Sequence, residues 1–158
     1  MRNTKKAFLW MINILEENNI KYRISGGLAA RAYGAKRKIA DIDIEVLEKD
    51  IDNVYERVKD FVVYGPKIYK DENWDLMLMT LKYQGQEIDV AAVESKIFSK
   101  KIKAWMKKPG NLKDSNLKNI FGIKVYVEKL EFLVRYKKIL SRDVDIEDLR
   151  QLQKMNLK

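Results

Sequence analysis

Residues 25–46 read SGGLAARAYGAKRKIADIDIEV. From Ile39 onward polar and apolar residues alternate, and this period of two predicts a strand over Ile39–Val46. One face of that strand carries the acids Asp41, Asp43 and Glu45. The opposite face carries the apolar residues Ile42, Ile44 and Val46. A Ser-Gly-Gly turn and a predicted short helix over Leu28–Tyr33 precede the strand.

Asp41 and Asp43 are two residues apart, so their carboxylates leave the strand on the same side, a few ångströms apart. Two carboxylates this close repel each other, and each tends to take up a proton. A divalent cation between them would remove the repulsion and use both as ligands. Taken alone, the stretch also fits an ordinary half-exposed strand whose acids face solvent.

Asp89 extends the pattern, because Ile88-Asp89-Val90 repeats the apolar–acid–apolar form. It lies on a predicted strand, Glu87–Val93, that forms a hairpin with the strand Leu76–Tyr83. If the strands of Asp43 and Asp89 are neighbours, three carboxylates meet, which is the ligand set of a two-metal phosphoryl-transfer site. The alternative is a surface acid close to the hairpin turn.

The Ser25-Gly26-Gly27 turn lies between a predicted strand and a helix. Glycine lets the backbone approach a ligand closely, and free N–H groups at the start of a helix attract phosphate. Arg37 follows this helix, and its guanidinium suits two-point contact with phosphate. Such features are also common in simple turns and on exposed surfaces.

Lys137 lies on the apolar face of a predicted helix over Glu128–Leu140. A buried ammonium is costly unless its charge is paired, and a triphosphate or an aspartate near the site would pair it. A lysine at the edge of the apolar face, extending to water, is the alternative. A last helix is predicted over Asp145–Met155.

These motifs together resemble the nucleotidyltransferases of the DNA polymerase β superfamily. Within it the chain is most similar to the small antibiotic nucleotidyltransferases and the AbiEii-toxin-like proteins, through Gly26, Gly27, Ala29, Arg37, Asp41 and Asp43. The C-terminal segment resembles theirs through Lys137, Arg142, Asp145 and Asp148-Leu149. The resemblance implies an α/β (α+β) fold, a mixed sheet flanked by helices, with short C-terminal helices.

The resemblance also implies transfer of a nucleoside monophosphate from an NTP to an acceptor hydroxyl, with ATP as the expected NTP. Asp41 and Asp43 would hold two Mg²⁺ or Mn²⁺ ions, and Asp89 would hold one and take the hydroxyl proton. Ser25, Gly26, Gly27, Arg37 and Lys137 would bind the nucleotide. Alternatives are a toxin-type enzyme acting on tRNA or protein, and a non-catalytic nucleotide- or nucleic-acid-binding module.

The composition limits the kinds of metal site that the protein can form. The 158 residues include no cysteine and no histidine, which excludes thiolate and imidazole metal sites and favours hard oxygen ligands. No apolar run of spanning length is present, and Glu16 and Glu17 follow the N-terminal apolar residues, so a cytoplasmic protein without a signal peptide is expected. The many charges are also typical of thermophiles.

The net charge of +9 favours polyanionic partners. Residues 96–118 carry eight lysines, with Phe98 and Trp105 among them. One interpretation is that this stretch binds an RNA acceptor; another is a lysine-rich surface helix whose Phe98, Ile102 and Trp105 pack on the core. A small-molecule acceptor remains the other alternative. We divide the chain into a core over 1–95 and a segment over 96–158 that packs on it.

Overall fold

The computed structural model describes residues 1–156, which form five α-helices and nine β-strands. The helices are α1 (Thr4–Glu17), α2 (Gly26–Ala32), α3 (Ile51–Val58), α4 (Leu130–Leu140) and α5 (Asp143–Asn156). The strands are β1 (Tyr22–Ser25), β2 (Ile42–Val46), β3 (Val62–Lys70), β4 (Trp74–Tyr83), β5 (Gln86–Ala92), β6 (Lys96–Ser99), β7 (Ala104–Lys107), β8 (Ser115–Ile120) and β9 (Ile123–Glu128).

The strands form one sheet in the order β7-β6-β4-β5-β2-β1-β9-β8, and β3 pairs with β4. The pairs β2–β5 and β1–β9 are parallel, and the other pairs are antiparallel. The predicted mixed sheet flanked by helices is therefore confirmed. Strands from both predicted segments, 1–95 and 96–158, belong to this sheet.

Strand β2 has the predicted alternation, but it begins three residues later than the sequence indicates. Ile42, Ile44 and Val46 are buried, and Asp43 is half-buried between them. The predicted start at Ile39 is wrong because the carbonyl of Ala40 has side-chain partners: Gln86 donates to it at 2.8 Å and Arg2 at 3.2 Å. Asp41 therefore precedes the strand.

The basic stretch is not a helix. It forms β6, β7 and most of β8, and Phe98 faces Trp105 directly across the β6–β7 pair. Ile97 and Ser99 are buried while Lys96 is exposed, which is a period of two. Ile102 lies in the connecting turn with 61% of its surface exposed, so the alternative of a helix packed through Ile102 is wrong.

Helix α1 supplies much of the core on one face of the sheet. Its buried side chains recur at helical spacing: Ala7, Phe8, Met11, Ile12 and Leu15. Within residues 1–156, no helix has both the length and the hydropathy needed to cross a bilayer.

Ile44→Ala tests the importance of the β2 core face. Ile44 is 1% exposed and pairs with Ile24 and Val90 on its two sides. We expect the truncation to lower the free energy of unfolding by about 2–5 kcal/mol through lost burial and a residual cavity. Denaturant unfolding measures this, with Ile68→Ala, 57% exposed, as the control that should change it by less than about 0.5 kcal/mol. Equal losses of unfolding free energy in the two variants would contradict the placement of Ile44 in the core.

Candidate active site

One cleft of about 550 Å³ is lined by every residue that the sequence predicts to bind metal or nucleotide. This volume suits a nucleotide-sized ligand. The predicted residues that line it are Ser25, Gly26, Gly27, Arg37, Asp41, Asp43, Asp89 and Lys137. The aromatic and aliphatic wall from β3 and β4 was not anticipated; it consists of Tyr69, Trp74, Leu76 and Leu78.

Asp43 and Asp89 face each other across neighbouring parallel strands. They are direct register partners of β2 and β5, so both side chains leave the same face of the sheet. Burial and the nearby charges of Asp89 and Asp41 raise the pKa of Asp43 to about 7. Burial also raises the pKa of Asp89 to about 6, although Thr80 donates a 2.6 Å hydrogen bond to its Oδ1. The two carboxylates therefore resist ionising together.

Asp41 lines the same cleft at the entrance to β2, and its carboxyl lies against that of Glu87. Burial and the Glu87 charge raise the pKa of Asp41. In the described part of the chain, no three Asp, Glu, His or Cys side chains converge closely enough to hold a metal ion as they stand. For all three acids to hold one cation, Asp41 would have to turn away from Glu87.

At the Ser25–Gly27 turn the chain passes directly from β1 into α2, which begins at Gly26 and not at the predicted Leu28. The glycines are required by the carboxylate and the guanidinium beside them. Gly26 has φ +63°, and a Cβ there would collide with the carboxylate of Asp43. A Cβ on Gly27 would lie 2.8 Å from the Nη2 of Arg37. The turn therefore lies directly against one predicted metal ligand and one predicted phosphate-binding cation.

Arg37 and Lys137 are joined by a buried acid from the last helix. Arg37 donates two 2.9 Å hydrogen bonds to Asp148, and Lys137 donates one of 2.9 Å to the same carboxylate. Lys137 also contacts Asp145 at 3.4 Å, and Arg142 donates to Asp145 at 2.8 Å. An aspartate therefore pairs the charge of Lys137, and the C-terminal motif links the chain's tail to the cleft.

Next to Ser25 lies a ring of four buried charged side chains, which the sequence analysis did not predict. Arg23 contacts Glu45 at 2.8 Å and Glu128 at 3.0 Å, and Lys108 contacts the same two acids at 2.8 and 3.0 Å. All four residues are at most 5% exposed. Glu45 lies on the acidic face of β2, which the alternation shows. Lys108, counted with the surface lysines, carries no signal of burial in the sequence.

The ring also holds the first residue of the turn. Ser25 Oγ accepts from Lys108 Nζ at 3.2 Å and donates to Glu128 at 3.3 Å. The Lys108 ammonium lies 4.3 Å from the centre of the Tyr136 ring, a favourable cation–π distance. Hydrogen bonds to Lys108 and Glu128 therefore hold the Ser25 side chain in place at the edge of the cleft.

Asp43→Asn should stabilise the protein in the absence of divalent cations. Because the folded-state pKa of Asp43 is about 7 and its ordinary value is 3.8, ionising it opposes folding above pH 7. We expect the variant to melt a few degrees higher at pH 8, the shift that about 1–2 kcal/mol produces in a domain of this size. The difference in melting temperature between the variant and the wild type should become smaller as pH falls through 7 and disappear near pH 4. A difference that does not change with pH would contradict this prediction.

Lys108→Met tests the ring. The substitution leaves Glu45 and Glu128 sharing one cation in a buried site, so we expect a loss of about 3–5 kcal/mol in the free energy of unfolding. The exposed Lys101 provides the matched control, and Lys101→Met should shift it by under about 0.5 kcal/mol. Equal denaturation midpoints for the two variants would show that the ring does not support the fold.

No protein-family model matches the chain, and no curated protein matches its sequence. Solved structures do match. A candidate nucleotidyltransferase from Thermotoga maritima superposes with a TM-score of 0.74 at 19% identity, covering 100% of this chain and 97% of the other. The lincosamide antibiotic adenylyltransferase LnuA, solved with lincomycin bound, gives 0.65 at 14%, covering 98% and 99%. ANT(2")-Ia, solved with adenylyl-2"-tobramycin, gives 0.63 at 14%, covering 97% and 92%. The chain therefore has the nucleotidyltransferase fold that the sequence resemblance predicted.

Proposed function

We propose that this protein transfers a nucleoside monophosphate, AMP from ATP, to an acceptor hydroxyl in a reaction that depends on Mg²⁺ or Mn²⁺. The observation that carries the proposal is the register pairing of Asp43 with Asp89 in the cleft, directly beside the Ser25–Gly27 turn. The two adenylyltransferases with this fold support the choice of AMP.

The chemistry of the donor set suits a pair of hard divalent cations, which Asp41 would reach by turning away from Glu87. Asp41, Asp43 and Asp89 offer only carboxylate oxygens, and burial together with repulsion from neighbouring carboxylates raises the pKa of all three. Positive charge would remove that repulsion. Asp41 and Asp43 would hold both ions and Asp89 one of them. When bound, the ions neutralise phosphate charge and favour ionisation of the acceptor.

The turn and the adjacent cations would bind the nucleotide. Ser25, Gly26 and Gly27 would hold the β- and γ-phosphates through backbone N–H groups and a hydroxyl. The side chain of Arg37 is 20% exposed beside Gly27. Its Nε and Nη2 bond to Asp148, and Nη1 donates only a long 3.4 Å bond to the carbonyl of Lys38, so Nη1 would be the group that contacts a phosphate. Lys137, buried against Asp148, would add positive potential without direct contact.

Asp89 would accept the proton of the acceptor. It lines the cleft, Thr80 donates to its Oδ1, and the chain has no histidine to act as the base. The acceptor oxygen would form a bond to the α-phosphorus as its proton passes to Asp89. The bond from that phosphorus to pyrophosphate would break. The wall of Tyr69, Trp74 and Leu76 would hold the acceptor.

Radiolabelled nucleotides test this proposal directly. The protein would be incubated with Mg²⁺, each α-labelled NTP and a panel of acceptors: aminoglycosides, lincosamides, bulk tRNA and cell lysate. We expect label from ATP on one acceptor, and a loss on the order of 10³-fold or more with Asp43→Asn. Asp52→Asn, an exposed change on α3, is the matched control and should retain activity. Full transfer by Asp43→Asn would refute the proposal.

A further inference from the structure

A row of charged residues crosses the sheet on its reverse face. Lys107 pairs with Lys96, Lys96 with Asp75 and Asp75 with Lys70, so four side chains from β7, β6, β4 and β3 lie in one cross-strand register. Neighbouring strands are about 4.8 Å apart, and the row therefore spans about 14 Å. Its three lysines are exposed, and its net charge is +2 from three ammonium groups and one carboxylate.

Two aromatic rings lie beside this row. Phe98 and Trp105 are register partners, two residues along β6 and β7 from Lys96 and Lys107, so the four share one face. The two rings meet edge to face with centres 5.5 Å apart, and the Lys70 ammonium lies 5.2 Å from the Trp105 ring centre. Basic and aromatic side chains therefore form one continuous surface.

This basic-aromatic face (Lys70, Lys96, Phe98, Trp105 and Lys107) is separate from the cleft. Along β4, Trp74 and Leu76 line the cleft, and Asp75 between them points to the other side of the sheet. The buried face of β6, which carries Ile97, packs towards α4. Use of the face by a partner therefore leaves the cleft free.

The Lys96–Lys107 pair is unfavourable for the isolated chain. Like charges directly opposite each other in a sheet destabilise the pairing. Within residues 1–156, neither ammonium has a carboxylate within 4.0 Å; Asp75 instead pairs with Lys70 at 4.0 Å. Phosphate groups of a bound polyanion would relieve this repulsion.

We propose that the basic-aromatic face binds a single-stranded nucleic acid. Its lysines match the charge of the phosphate backbone, and its half-buried Trp105 and Phe98 offer surfaces on which unpaired bases stack. An acidic protein would satisfy the lysines but not use the rings in this way. The proposal does not depend on the reaction in the cleft.

Fluorescence anisotropy with labelled decauridylate tests the proposal. Phosphate contacts predict affinity that falls steeply with salt, and Lys107→Glu should weaken binding at least tenfold and flatten the salt slope. Trp105→Leu should weaken binding at least fivefold through lost stacking while leaving the slope unchanged. Lys124→Glu on β9 changes the net charge equally and should have little effect.

Stability measurements exclude misfolding as the cause. Lys107→Glu places opposite charges across β6 and β7, where Lys107 has Lys96 as its register partner, so it should leave the melting temperature of the free protein unchanged or raised. Asp43→Asn should bind decauridylate as the wild type does, which separates this surface from the proposed reaction. Absence of binding at low salt, equal losses with Lys124→Glu, or no effect of Trp105→Leu would each overturn the proposal.

Discussion

The register of β2 against β5 places two carboxylates, Asp43 and Asp89, face to face inside a cleft. The repulsion between these two carboxylates is the constraint on which the rest of the site depends. The buried isoleucines of β2 keep the two acids from moving apart, and Gly26 leaves room for the Asp43 carboxylate. The fold therefore maintains an arrangement that is unfavourable for the free protein, and bound cations and triphosphate would make it favourable.

Buried ion pairs hold the other elements around this pair. The ring of Arg23, Glu45, Lys108 and Glu128 joins β1, β2, β9 and the end of the β7 segment, and it fixes Ser25 through Lys108. A second network, in which Asp148 joins Arg37 to Lys137, also borders the cleft. Because breaking a buried pair leaves an uncompensated charge, both networks favour one geometry of the cleft over alternatives.

The features of the site that could be predicted from the sequence are those that depend on local periodicity. The alternation around Asp43 and the repeat at Asp89 located two strands and the acidic side of each, because a period of two depends only on neighbouring residues. That the two strands are neighbours and share this face comes from the structure. The burial of Lys108 could not be foreseen, since its partners Glu45 and Glu128 are distant in the chain. Residues 96–118 were ambiguous because Phe98, Ile102 and Trp105 also fit helical spacing, and only the pairing of β6 with β7 decides between the two.

The most direct measurement is a crystal structure of the protein with Mn²⁺ and a non-hydrolysable ATP analogue, using the anomalous signal of manganese to locate the ions. The account predicts anomalous peaks between the carboxylates of Asp43 and Asp89, with Asp41 turned from Glu87 to join them and the triphosphate over the Ser25–Gly27 turn. Manganese bound elsewhere, or nucleotide bound away from that turn, would contradict it.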